Sequence, residues 1–229
     1  MSLQKNKIKM ALAKGRVANK TIGRLKEIGY VFPDYSKESR KLIFTDTTDT
    51  LEFFLVKSPD VGTYVEKGAA DIGIVGRDVL LEHPADVYEL LNLKIGQCRM
   101  CVAGFKDTQI QYNRKLTVGT KYPHIAKNYF TQIDQPVDLI TINGSVELGP
   151  ILGLCDCIVD IVESGNTLRE NGLVVLRSIL DISSRLIVNH VSLKTKREQI
   201  DPIVEKFKEL AFLQITRNWR QYEKIHVQR

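Results

Sequence analysis

Short apolar runs alternate with stretches of helical periodicity along the whole chain, the pattern of an α/β protein. Ile8 to Leu12 reads as a first strand. Val17, Thr21, Leu25 and Ile28 then recur at helical spacing, and Gly29 supplies the stop. Leu42 to Phe44 and Leu51 to Val56 predict two strands around the polar turn TDTTD. Ser58-Pro59 predicts an N-cap followed by proline at the first helical position. Val61, Tyr64 and Val65 give that helix its apolar stripe, and Gly68 ends it. Asp71 to Val75 is almost wholly apolar, the kind of strand a parallel sheet buries on both faces. Further strands are predicted near residues 97–104, 116–119, 137–141, 157–162, 173–181 and 185–190. Helices are predicted near 77–82, 123–131, 146–152 and 167–171. Ile200, Ile203, Val204, Phe207 and Leu210 form a last amphipathic helix, in which Pro202 predicts a kink or a start at Asp201.

A length of 229 residues allows one large domain or two small ones. No Gly/Pro/Ser-rich linker divides the chain, so two lobes would be joined through strands. Crossings near Gly96 and Ile182 leave a discontinuous first lobe, residues 1–96 plus 183–229, and a second lobe, 97–182.

Composition narrows the function classes. Apolar residues make up 43% and charged residues 26%, which is globular rather than disordered. No run reaches the roughly 18 to 20 apolar residues of a membrane span, and the N-terminus lacks the apolar stretch of a signal peptide. A cytoplasmic location without membrane association is the expectation. The net charge of +6 favours anionic ligands. The 33 basic residues are scattered, without zinc-finger spacing or an RNA-binding motif, so nucleic acid is not expected. Cys98/Cys101 and Cys155/Cys157 sit in apolar strand patterns and read as small buried side chains, not zinc ligands.

The segment with most chemistry in it is IVDIVESGNTL, residues 158–168, an apolar strand running into a short loop and a helix start. Gly165 allows close backbone approach to a ligand. The amides of the turn favour an anion, and Ser164 and Thr167 add hydroxyls suited to a phosphate monoester. Asp160 and Glu163 are acceptors for ribose hydroxyls or for Mg²⁺. Acceptors a few residues from phosphate donors match a phosphorylated ribose. Thr167-x-x-Glu170 also reads as a plain capping box with Gly172 closing the turn, although that reading leaves the two acids and Ser164-Gly165 unexplained.

Lys14-Gly15-Arg16 follows the first strand, where α/β proteins place ligands. Two cations around a glycine suit a pyrophosphate, and solvated turn charge is the alternative. In ADIGIVGRD a buried strand ends at Gly76 with Arg77 and Asp78 at its mouth, either a ligand contact or a core strand with a glycine turn. In NGSVELGP, Asn143-Gly144 is a turn, Ser145 a candidate N-cap and Glu147 a first-turn acid. Nucleophile, P-loop and Rossmann motifs are absent from the sequence.

Together ALAKGR, DVGTYVEKGAADIGIVGRDVL, NGSVELGPILGL and, above all, IVDIVESGNTLRENGL make the chain resemble the ATP phosphoribosyltransferases, in their short catalytic form, over most of residues 8–210. The resemblance implies two α/β lobes like the type II periplasmic binding proteins, with the site in a central cleft. It implies joining of adenine N1 of ATP to C1 of phosphoribosyl pyrophosphate, the first step of histidine biosynthesis, with Mg²⁺ as cofactor. It implies a homodimer when alone and a hetero-octamer with a regulatory subunit similar to histidyl-tRNA synthetase. On this footing Asp160, Glu163, Ser164, Gly165, Asn166, Thr167 and Leu168 are expected to bind phosphoribosyl pyrophosphate. Lys14, Gly15, Arg16, Lys57 and Gly76 are expected at the pyrophosphate or the ATP phosphates. No catalytic base and no metal ligand is assigned. Two departures stand out: Cys155 replaces a usually smaller residue, and Lys57 stands where many relatives carry Arg, keeping the charge but losing the planar fork. The tail RNWRQYEKIHVQR lies outside the resemblance. The rival class is a non-catalytic small-molecule binder, which has no need of the 160–168 loop.

Overall fold

The computed structural model describes residues 7–36, 38–110 and 114–226, the last stretch beyond 212 only as the course of a helix. The chain divides into two compact units, one of Met1–Gly96 with Ser183–Arg229 and one of Gln97–Ile182.

In the first unit the elements are β1 (Ile8–Ala13), α1 (Arg16–Glu27), β2 (Ile43–Thr45), β3 (Leu51–Val56), α2 (Asp60–Glu66), β4 (Ile72–Gly76), α3 (Arg77–Glu82) and β5 (Tyr88–Asn92). The second unit contains β6 (Cys98–Gly104), β7 (Leu116–Thr120), α4 (Pro123–Gln132), β8 (Val137–Thr141), α5 (Leu148–Ile151), β9 (Cys157–Val162), α6 (Asn166–Glu170) and β10 (Val174–Ile182). The chain then completes the first unit with β11 (Ser184–Val188), α7 (His190–Thr195) and α8 (Arg197–His226).

The first sheet has the order β2-β3-β1-β4-β11-β5. β1 lies parallel to both β3 and β4, whereas β11 runs antiparallel to β4. Alternation along β1 sorts its side chains onto two faces. Met10 and Leu12 join a large cluster with Leu25, Phe53, Ile200, Ile203 and Phe207, beneath α1 and α8. Phe53 is the hub of an aromatic group, edge-on to Phe32 at 4.7 Å and stacked on Phe44 at 5.1 Å. Ala11 and Ala13 face the other side, where Val61 and Val65 of α2 come close. A Cβ on Gly73 would lie 2.7 Å from Val65, so this glycine of ADIGIVG serves helix-on-sheet packing.

The second sheet has the order β10-β6-β9-β7-β8, with β7 parallel to β8 and β9, and β6 antiparallel to its neighbours. Met100, Val102, Val118, Phe130, Cys157 and Val159 fill one face. Cys101, Ala103, Ile158, Val162, Leu168 and Leu173 fill the other.

Several local expectations are corrected. α2 starts at Asp60, so Pro59 precedes the helix, and backbone bonds from Asp60 N to Lys57 O (3.0 Å) and Val61 N to Ser58 O replace the expected Ser58 side-chain cap. Strand β5 was not foreseen. The strand expected to reach residue 190 stops at Val188, because the Asn189 side chain accepts from Val191 N at 2.9 Å and Ser192 N at 3.0 Å and starts α7. α8 begins at Arg197, one turn ahead of Asp201, and takes Pro202 into its body. Ser145 does not cap a helix: it holds φ 49° and its carbonyl accepts from Leu148 N, while α5 begins only at Leu148. Among the described residues no helix is long and apolar enough to cross a membrane.

Candidate functional site

In the second unit β9 delivers Asp160 and then breaks into the turn 163–165 before α6. Gly165 makes the break, with φ 74° and ψ 6°, a left-handed conformation that side chains other than Asn and Asp rarely adopt. A Cβ there would meet Val162 only at 3.7 Å, so the glycine is required by backbone shape, not by lack of space. The helix starts at Asn166 with Gly165 at its N-cap, two residues earlier than a Thr167 capping box needs, and no side chain caps it. Ser164 Oγ instead accepts from Asn166 N at a long 3.4 Å. Glu163, Ser164, Asn166 and Thr167 are exposed, whereas Leu168 is buried among Val162, Leu173 and Cys101 and anchors the turn to the core. Leu173 N closes onto Leu168 O at 2.9 Å, and Asn171 Nδ2 donates to Thr167 O at 2.8 Å, holding the other end. The loop is thus an exposed row of amides, hydroxyls and a carboxylate on a tethered frame.

Asp160 is half-buried, and its Oδ1 accepts from Ile161 N at 2.8 Å. Burial holds its carboxyl above the usual aspartate value, and the Glu147 charge pushes the same way, against the Ile161 N–H and Lys121. Lys121 is brought there by the end of β7, where Thr120 Oγ1 donates to Val159 O at 2.6 Å and accepts from Tyr122 N at 2.8 Å. Neither neighbour of Asp160 is legible in the sequence: the β7–β9 pairing brings Lys121 to it, and Glu147 comes from the start of α5.

In the first unit the expected cationic residues gather at one sheet end. Ala13 pairs with Val56 in the parallel β1–β3 ladder, and Lys14 N donates to Val56 O at 2.9 Å, so Lys14 and Lys57 are neighbours. The β1–β4 register, Leu12 with Ile74, brings Gly76 level with Lys14. Gly15, at φ 104°, opens α1 and leaves Arg16 exposed in the first turn. A Cβ on Gly76 would fall 2.1 Å from Asp78 Oδ1, so the carboxylate folds back over this glycine.

Beside this end lies a cavity of about 510 Å³ whose walls include Lys14, Gly15, Tyr35, Ser39 and Arg40. Lys41 at its rim pairs with Asp34. The signal that Ser39-Arg40-Lys41 carries in the sequence is slight, adjacent cations just ahead of a predicted strand.

The four cysteines are free, and only Cys98 is not buried. Burial pushes the Cys157 thiol up to about 12. No group of three or more His, Cys, Asp and Glu side chains suited to a metal occurs among the described residues.

Against known proteins, a family profile described as ATP phosphoribosyltransferase matches residues 57–209. A protein from Brachyspira hyodysenteriae called ATP phosphoribosyltransferase is 50% identical over 204 residues, covering 89% of this chain and 99% of its own length. The chain belongs to the ATP phosphoribosyltransferase family. A second member, from Clostridium novyi, is 52% identical over 203 residues, with 87% of this chain and 95% of that protein aligned. The near-complete coverage of these family members leaves them no room for a long added domain, which fits the short form. Among solved structures, the ATP phosphoribosyl transferase (HisG:HisZ) complex from Thermotoga maritima matches with a TM-score of 0.77 and 36% identity over 89% of this chain and 98% of that one. A substrate-binding protein of an amino acid ABC transporter matches with a TM-score of 0.56 and 16% identity over 95% of this chain, which shows the periplasmic-binding-protein type of fold and nothing of function.

Proposed function

We propose that the chain joins N1 of the ATP adenine to C1 of phosphoribosyl pyrophosphate, releasing pyrophosphate, and that the 160–168 loop grips the phosphoribosyl group. The N1–C1 bond forms as the C1–O bond to pyrophosphate breaks. Such a step develops oxocarbenium character and frees a polyanion, so it needs positioning and charge stabilisation more than a covalent nucleophile. The single observation that carries the reading is the loop itself: exposed Ser164, Asn166 and Thr167 around a left-handed Gly165, with Glu163 and Asp160 just upstream. The 5′-phosphate meets the 164–167 amides and hydroxyls. Glu163, with Asp160, accepts from the ribose diol. Lys14, Arg16 and Lys57 hold the pyrophosphate or the ATP phosphates, and Gly76 lies level with Lys14 beside them, under the Asp78 carboxylate. Arg40, in the adjoining cavity, joins them.

Mg²⁺ suits this donor set as an ion carried in on the pyrophosphate oxygens, since magnesium commonly rests on substrate phosphates with few protein ligands. When bound it neutralises charge on the departing pyrophosphate. The regulatory partner is a subunit similar to histidyl-tRNA synthetase, in a hetero-octamer, with a homodimer in its absence. The HisG:HisZ assembly of the Thermotoga maritima relative supports such a partner. The cytoplasm is the proposed location.

The test is phosphoribosyl-ATP formation followed by absorbance, with ATP, phosphoribosyl pyrophosphate, Mg²⁺ and the partner. Glu163→Gln and Thr167→Ala are expected to lower kcat/KM for phosphoribosyl pyrophosphate about tenfold or more, the worth of one charge-assisted hydrogen bond. Wild-type kcat/KM in both variants would show that the loop has another role.

A further inference from the structure

We infer that Arg77 is a third cation of the polyphosphate-binding sheet end and contacts a diphosphate group there. This rests on the proposed role of Lys14 and Lys57. β3, β1 and β4 are adjacent parallel strands, and their final paired positions are Val56 with Ala13 and Ile74 with Leu12. One residue past the end of each strand stand Lys57, Lys14 and Arg77. Strands in a sheet lie about 4.8 Å apart. Lys57 and Lys14 therefore stand level, and Arg77 stands on the next strand one residue beyond that level, which Gly76 occupies.

Arg77 is held firmly enough to serve. Its amide donates to Ser183 O at 3.1 Å, fixing the backbone where β4 gives way to α3. The residue is exposed. The adjacent acid, Asp78, is buried, and its carboxylate is turned onto Gly76, as the 2.1 Å approach to a Cβ there shows. Asp60 is the other acid close in sequence to this edge, one turn past Lys57 at the start of α2.

Several surface cations are paired, such as Lys67 with Glu66, Lys115 with Asp138, Arg197 with Asp201 and Lys208 with Glu205. Lys14, Lys57 and Arg77 have no acid or hydrogen-bond partner for their side chains among the described residues. Like charges side by side and unneutralised destabilise a bare sheet end, and an arriving polyanion removes the cost. Arg77 adds what two lysines lack, a planar fork that meets two phosphate oxygens at once. With Lys57 at the β3 end, Arg77 adds a fork from the β4 end to that of Arg16 at the start of α1.

The ligand is a diphosphate, borne either by the sugar donor or by the nucleotide. The test is calorimetric titration of the full chain with three probes: inorganic pyrophosphate with Mg²⁺, ATP with Mg²⁺, and ribose 5-phosphate. Arg77→Gln is expected to weaken pyrophosphate about 10- to 100-fold, from the worth of charged hydrogen bonds. Arg77→Lys is expected to recover part of the loss, and ribose 5-phosphate affinity is expected to stay unchanged. A loss for ATP without a loss for pyrophosphate supports the site and assigns it to the nucleotide. Unchanged binding of both probes to Arg77→Gln, with wild type binding them, overturns the role of Arg77 alone. Equal weakening of ribose 5-phosphate would mark general damage and overturn it too. Failure of the wild type to bind either polyphosphate overturns the whole edge assignment, Lys14 and Lys57 included.

Discussion

The amide of Lys14 donates to the carbonyl of Val56 at 2.9 Å, and this one bond sets the first residue beyond β1 beside Lys57, the first beyond β3. Two ammonium groups on adjacent strand ends repel unless an anion lies between them. Lys57→Gln is therefore expected to raise KM for phosphoribosyl pyrophosphate about tenfold while leaving the melting temperature unchanged or slightly higher. Lys57→Arg should retain activity. Steady-state kinetics beside a thermal melt check both.

Gly165 is tied to its φ of 74° and not to a crowded neighbour. Gly165→Ala is expected to cost about 1 kcal/mol of stability and a larger share of activity, because the strained residue pulls the amides of 164–167 out of line. Asn tolerates the left-handed region better, so Gly165→Asn should fall between. Chemical denaturation and phosphoribosyl-ATP formation, measured on the same samples, separate the two effects.

Asp160 gives a pH signature. Its folded-state carboxyl is raised, first by burial and then by Glu147. A group raised in the fold favours the protonated form there. The stability linked to it is complete below the ordinary aspartate value, about 3.9, and is lost as pH climbs through the higher folded value. Asp160→Asn removes that loss. The variant is expected to melt above wild type at neutral pH, with the gap closing toward acid, and to bind phosphoribosyl pyrophosphate less well. Melting curves across pH check the sign.

Asp71 is structural, and its loss should read out as stability. Its carboxylate, 5% exposed, accepts from Lys9 N at 2.9 Å, Ser192 Oγ at 2.6 Å and Lys196 Nζ at 2.9 Å, tying β1 and β4 to α7 and to the start of α8. Asp71→Ala strands these donors and is expected to cost about 3 kcal/mol. Asp71→Asn keeps an acceptor and should cost less. Urea midpoints measure both, and a cost within error for Asp71→Ala would show that water takes over.

Much of this architecture is legible in the chain because strands such as Ile8–Leu12 and Asp71–Val75 carry continuous apolar patterns that the core demands. The 160–168 loop is legible because glycine, hydroxyl and acid residues are contiguous there. What escapes is set by contacts distant in sequence. β5 shows little pattern because YELLN is an edge strand, exposed at its first two positions. The early stop of β11 depends on Asn189, whose side chain donates to Val65 O at 2.8 Å across the fold as well as capping α7. Arg40 and Lys121 gain meaning only when the sheets bring Lys14 and Asp160 to them.

The most direct measurement is a crystal structure of the full chain grown with phosphoribosyl pyrophosphate. The account predicts monoester density against the amides of residues 164–167 and the ribose diol on Glu163. Sugar-phosphate density bound elsewhere, with this turn facing only solvent, would contradict it.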